Sequence, residues 1–398
     1  MTGRTGSGAV GADAPSVVGS DATDSGTSQA PGPGRDRFID FIRAFSLLVV
    51  VAWHWVFTII VWRADGPHAT NPIGFTRGLF IATWLLQVMP LFFLVGGFAH
   101  KEAFAARQRR GQASPWSFAF SRFLSLARPA VILAGAWWLA GTLYVSFAGG
   151  DADGVGRSVT LVISPLWFLA VYLVLILLFP VTYALHRRFG ALVVLWGVGI
   201  SVMVDVARFA HDVPNVAWVN MVVVWATCHQ LGFFWERLVA AGRRLAWGMT
   251  WGGLFGLAAL VGSTLYPGSM VGVPGEKVSN MAPPTICILT LLVFQGGVAL
   301  LIRPWILERL KTSARWATTS DIINRFALPL YLFHSTGLAV WAAFTHFVLD
   351  VDAAREPDIG WWLGRPFSFI GPLLVTLPII FVLGRSYVKA PKPTAAAN

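Results

Sequence analysis

The chain has 398 residues, 56% of them hydrophobic and only 12% charged, with a formal net charge of +11. Soluble globular chains carry about 25% charged residues, so a soluble domain is excluded. The positive balance does not mark a nucleic-acid binder, because the cations sit in short loops between apolar runs, where they set topology.

Residues 1–37 open the chain as an expected disordered cytoplasmic tail. They are mostly Gly, Ser, Ala, Thr, Asp and Pro, and they lack the bulky apolar side chains needed to offset chain entropy. They also lack the apolar stretch of a signal peptide, so the tail is expected to stay uncleaved. A transmembrane domain over 38–389 and a short cytoplasmic tail over 390–398 complete the expected organisation.

The expected fold is all-α, a polytopic membrane bundle of about ten helices. Ten apolar runs are long enough for a bilayer core of about 30 Å. They cover 40–63, 78–100, 122–148, 159–185, 190–209, 216–237, 245–266, 283–302, 322–349 and 366–388. Nineteen Trp and 29 Phe suit aromatic belts at two lipid interfaces. Loops after even-numbered runs hold Lys101, Arg107, Arg109 and Arg110, then Arg187 and Arg188, then Arg243 and Arg244, then Arg309, Lys311 and Arg315. Lys389 and Lys392 follow the last run. The odd-numbered loops hold Asp151, Asp153, Glu276, Asp350, Asp352, Glu356 and Asp358. The positive-inside rule therefore places both termini in the cytoplasm, which ten crossings satisfy. The two cysteines, Cys228 and Cys287, fall inside apolar runs and read as core thiols; neither a disulfide framework nor a metal site is expected.

The first run, RDRFIDFIRAFSLLVVVAWHWVFTIIVW, carries the most informative pattern. Arg43 and His54 are eleven residues apart, close to three helical turns, so they share one face about 16 Å apart along the axis. Asp40 joins that stripe one turn before Arg43 and can pair with its guanidinium. Ionisable groups on one stripe of a membrane helix are costly and mark a functional site by default. His54 falls near mid-depth, where a neutral imidazole serves as a general base. Arg43 falls near the cytoplasmic mouth, where a guanidinium grips phosphate bidentately; the plainer role is a topology-setting cation. Arg122 and Arg128 flank the start of the third run and either extend that cationic mouth or anchor the helix at the interface. His334 in LPLYLFHS lies at a depth similar to His54 and either orients substrate, shares a proton or packs in the core. Asp205, His229 and Gln230 read as buried polar ties between helices. Gly96 and Gly97 read as points of close helix approach.

Taken in order, these segments resemble membrane acyltransferase family 3, which includes bacterial O-antigen and Nod-factor O-acetylases. Arg43 to His54 matches its R-x10-H signature. PLFFLVGGFA at 90–99 is similar to its FFxxSGF segment, with Gly96 in place of the serine. Arg122 and Arg128-Pro129 are similar to its R…RxxP segment, PLWFLAVYL at 165–173 to its xLWFL segment, and LPLYLFHS at 328–335 to its YLxH segment. The resemblance implies an integral membrane enzyme of the inner (plasma) membrane that moves an acyl group. That group is usually acetyl from cytoplasmic acetyl-CoA, and it goes to a hydroxyl of a sugar, polysaccharide or lipid-linked acceptor. Acyl-CoA is then a co-substrate, and no bound cofactor is expected. It also implies that His54 and Arg43 are needed for activity, with His54 either a general base or an acyl carrier. Many polysaccharide acetylases of the family place a Glu after the LWFL segment, whereas Tyr172 stands near that place here. Without an appended extracytoplasmic domain, the bundle is expected to acylate the acceptor itself or pass it on. The competing classes are a transporter or flippase for a lipid-linked or amphipathic molecule and a non-catalytic scaffold of envelope synthesis. No internal repeat is visible, which argues against a transporter built of inverted halves.

Overall fold

A computed structural model describes residues 36–112, 114–149, 151–351 and 357–383. The N-terminal tail, the loop carboxylates Asp352 and Glu356, and Lys389 and Lys392 with the final tail lie outside the described residues. The described residues begin with α1 (Arg37–Phe57) and a hairpin of β1 (Ile59–Arg63) and β2 (Gly66–Thr70). Then follow α2 (Phe80–Leu86), α3 (Met89–Gln108), α4 (Pro115–Ala148), α5 (Ala152–Ile163), α6 (Leu166–Phe189) and α7 (Leu192–Ala210). The second half holds α8 (Asn220–Gly232), α9 (Trp235–Ala240), α10 (Gly242–Gly262), α11 (Ile286–Thr312) and α12 (Ala314–Arg325). It closes with α13 (Ala327–Phe347), α14 (Ile359–Leu363) and α15 (Arg365–Val382).

Among the described residues, nine helices are long and apolar enough to cross a membrane. Many bulky apolar side chains point outward from them, Phe147, Met203 and Phe367 among them. Leaving such groups in water forfeits roughly 1.5–3 kcal/mol each, so this surface belongs in lipid. Helices α3 and α11 form the centre, each with more than half of its apolar window buried, whereas α4 buries 11% and lines the rim.

Two expectations are corrected. The sixth run is a broken element, because α8 has only 13 residues and the chain turns at Phe233–Phe234 before α9. Gly97 and Gly232 let α3 and α8 press together: a Cβ on either would collide with the facing backbone carbonyl. The broken run still links the two ends of the bundle. Asn220 at its start bonds Asp205, which also receives the backbone N–H of Ile286 at the start of α11. Trp235 past the break donates to Asp36, which Arg303 near the other end of α11 also reaches. The first run is the second correction. Its helix stops at Phe57, and the β-branched Ile59, Ile60 and Val61 enter a strand paired from Ile59↔Thr70 to Arg63↔Gly66. Continuous apolar character alone cannot separate a helix end from a strand.

Asp36 fixes the start of α1. One oxygen caps the helix through the Phe38 N–H at 2.9 Å, and the other accepts from Trp235 at 3.0 Å and Arg303 at 3.3 Å. Lys101 of α3 bridges Glu236 of α9 at 2.8 Å at this same, cation-rich end. At the opposite end the hairpin turn rests on α5. Gly66 has φ +109° and its Cα lies so near Gly154 that a Cβ would clash. Arg157 bridges Asp65 at 2.8 Å, and the His68 hydrogen bond holds the Asp65 carboxyl below the usual carboxylate range.

The orientation is open to a direct test. Asp153, Glu276 and Ser114 are exposed, and the natural Cys228 and Cys287 are buried, so background labelling is low. Asp153→Cys and Glu276→Cys should react with an impermeant thiol reagent in intact cells, and Ser114→Cys only after permeabilisation. Labelling of Ser114→Cys from outside intact cells would reverse the orientation.

Candidate active site

The site starts from the seam between α1 and α13. Leu47, Val51 and Trp55 recur every four residues on α1 and form a buried cluster against α13. Trp55 then donates its indole N–H to the His334 carbonyl at 2.9 Å, which fixes the register of the two helices. Tyr331 ties α13 to the break between α5 and α6 by donating its hydroxyl to the Pro165 carbonyl. This docking brings His54 and His334 together: His54 Nδ1 and His334 Nε2 are 2.7 Å apart. The ring planes differ by 10° with centroids 4.9 Å apart. That separation is close to the N···N distance plus two ring radii, so the imidazoles are nearly coplanar and meet edge to edge. His334 Nδ1 lies 2.6 Å from the Tyr331 carbonyl, and Ser335 Oγ lies 3.2 Å from His334 Nε2.

His54 lines a cavity of about 650 Å³. That volume falls in the range of small-molecule sites, about 300–1,000 Å³. The walls come from α1, the hairpin, α4, α5, α6, α13 and the loop before α11, and they include Trp53, Trp62, Trp137 and Trp167. Among the described residues, no Asp, Glu, Lys or Arg lines it. His334, fully buried behind His54, does not line it, whereas Ser335 does.

Arg43 lies at the cation-rich end of the same helix, about 16 Å from His54 along the axis. Its Nε donates to Asn324 Oδ1 at 2.7 Å and a terminal nitrogen donates to Asp40 at 3.1 Å. Asn324 in turn donates to the backbone carbonyls of Asp40 and Ser320, both at 2.8 Å, and locks α12 onto α1. Two of the five guanidinium N–H donors are thus used inside the protein, and the group stays partly exposed. Arg122 is exposed beside the Phe118 ring and acts electrostatically on Tyr172, as Arg43 does. Arg128 lies six residues on, about 240° further round α4, and faces a different way. Arg43 and Arg122 thus both act on Tyr172, and Arg128 is exposed on another face of α4.

The two departures from the resembled motifs are coupled. A Cβ on Gly96 would strike the Tyr172 ring and hydroxyl at 2.8–2.9 Å, so a serine at 96 and a tyrosine at 172 exclude each other as packed here. The Tyr172 hydroxyl lies 3.4 Å from His100 Nε2, and His100 Nδ1 lies 3.0 Å from His229 Nε2. His229 therefore ties α8 to α3, as a structural reading of that residue expects. Asp205 likewise ties α7 to α8 and α11 through Asn220, Tyr266 and the Ile286 N–H. Sequence reasoning missed Asn324, Ser335 and the tryptophan walls, since each becomes meaningful only through contacts far along the chain.

The fold is thus a helical membrane bundle in which a histidine faces an aromatic cavity and an arginine stands three turns away on the same helix. The acyltransferase domain of family 3 matches residues 36–384, so the chain belongs to acyltransferase family 3 and is a membrane-embedded acyltransferase. No curated protein and no solved structure matches the chain.

Proposed function

We propose that the protein transfers an acyl group, acetyl in the simplest case, from a cytoplasmic acyl-CoA to a hydroxyl of a sugar or lipid-linked acceptor. The observation that carries this reading is the division of α1. Arg43 stands at the cation-rich end, and His54 opens on a cavity toward the opposite end. Donor phosphates bind at Arg43, whose planar fork suits phosphate oxygens, with Arg122 adding positive potential nearby. The pantetheine arm covers the distance of about three helical turns and brings the thioester to His54. The acceptor occupies the tryptophan-walled cavity. Indole faces suit the apolar faces of sugar rings, and uncharged walls suit a neutral hydroxyl-bearing group. His54 takes the acceptor O–H proton as the oxygen forms its bond to the thioester carbonyl carbon. The C–S bond then breaks and the proton passes to the thiolate leaving group. No cofactor is consumed, and a plasma-membrane location supplies both substrates.

The test is acetyl-CoA consumption by purified protein in detergent, followed as free CoA thiol and as labelled acetyl in extracted envelope glycolipid and polysaccharide. The expected result is thiol release with label moving into an acceptor fraction. A thioester left intact by folded wild-type protein, with these acceptors present, would overturn acetyl-CoA as the donor.

A further inference from the structure

Resting on the proposed role of His54 as base, we propose that His334 is a positioning residue that fixes the His54 tautomer, taking the place beside the base that a carboxylate often holds. The hydrogen positions are fixed outward from one backbone oxygen. The Tyr331 carbonyl only accepts, and it lies 2.6 Å from His334 Nδ1, so that nitrogen carries the hydrogen. A neutral His334 then has its lone pair on Nε2. His54 Nδ1 is 2.7 Å from that nitrogen and therefore donates to its lone pair. His54 Nε2 is left unprotonated, the ring nitrogen available to the cavity that His54 lines. The near-coplanar rings align this N–H···N bond in line. Trp55 holds the His334 backbone by its carbonyl, so the ring pair is braced from both helices. The arrangement does for His54 what an orienting acid does for the histidine of a hydrolytic triad: it selects the tautomer and accepts from the imidazolium that forms.

The electron and proton count closes within the proposed reaction. When His54 Nε2 takes the acceptor proton, Nδ1–H keeps donating to His334, and the charge is shared along the two rings to the Tyr331 carbonyl. The proton then leaves from Nε2 to the CoA thiolate, and both histidines return to their starting tautomers. Ser335 Oγ lies 3.2 Å from the same His334 nitrogen and reaches the cavity wall.

Two readouts separate this role from packing. The first is the solid-state ¹⁵N spectrum of ring-labelled histidine in full-length protein in lipid bilayers, with His54 identified by its loss in His54→Asn. The wild type should show His54 with a protonated Nδ1 and an unprotonated Nε2. His334→Gln should keep that form, since its amide oxygen accepts near the lost Nε2, and His334→Leu should lose it. The second readout is kinetic. His334→Leu should lower kcat by about 100-fold or more with the KM of donor nearly unchanged, and His334→Gln should recover part of the loss. A protonated His54 Nε2 in the wild type would overturn the proposal, and that measurement needs no variant to fold. An unchanged His54 tautomer in folded His334→Leu would overturn it as well. The spectrum needs no turnover, so a wild type inactive toward acetyl-CoA would count against the proposed reaction and leave the tautomer assignment to be judged by itself.

Discussion

His54→Asn should fold, insert and bind acyl-CoA, yet turn over at least two orders of magnitude more slowly than the wild type. Loss of a general base costs about 10²–10⁴ in rate. Asparagine keeps a donor close to the His54 Nδ1 position, so the contact toward His334 survives in part. What it lacks is a nitrogen that takes a proton near neutral pH. The bland alternative is a packing histidine, whose loss acts through stability and lowers yield and melting temperature while turnover per folded molecule is kept. The measurement is turnover normalised to the monodisperse size-exclusion peak, beside a thermal melt in the same detergent. Near-wild-type turnover in well-folded His54→Asn would remove the base from the mechanism. A low melting temperature with normal specific turnover would assign His54 to the seam between α1 and α13.

The sequence made the membrane class legible through its low share of charged residues and its apolar runs long enough to span a bilayer. It made the α1 stripe legible for a local reason: eleven residues of helix fix the relation of Arg43 to His54 whatever surrounds them. The Asp40–Arg43 pair was legible on the same ground and forms at 3.1 Å. What lay beyond reach was tertiary. His54 and His334 are 280 positions apart, and equal depth along two helices says nothing about facing each other. The first strand of the hairpin that helps line the cavity was hidden inside an apolar run. Its residues Ile59–Arg63 follow α1 without a glycine or proline to mark the change. Gly96 in place of serine and Tyr172 near the place of a carboxylate stand far apart in sequence; packed against each other they are one exchange of volume across α3 and α6.

Arg43→Lys should weaken donor binding although the charge is kept, and Arg43→Ala should weaken it further. The reason lies in how the guanidinium is held. Nε is bound to Asn324 and one terminal nitrogen to Asp40, so the plane of the fork is set before a ligand arrives. A preset fork offers parallel N–H bonds to phosphate oxygens, and lysine, a single rotatable ammonium, cannot reproduce both the inner bonds and the outer ones. A charge-assisted hydrogen bond contributes about 1.5–3 kcal/mol, so a tenfold or greater rise in the donor Kd is expected for Arg43→Ala. The rise for Arg43→Lys should be smaller but clear. Dephospho-CoA and CoA binding, compared by calorimetry in wild type and both variants, give the check. The wild-type preference for the donor with more phosphate should shrink in each variant, while the acceptor KM stays the same. Binding unchanged in both variants would leave Arg43 as a clamp between α1 and α12 through Asn324. In that case a lower melting temperature should be the sole effect, because the Asn324 amide oxygen and the Asp40 carboxylate each lose a charged donor. The two outcomes differ in kind, so one set of variants decides whether the end of α1 opposite His54 binds donor or only closes the bundle.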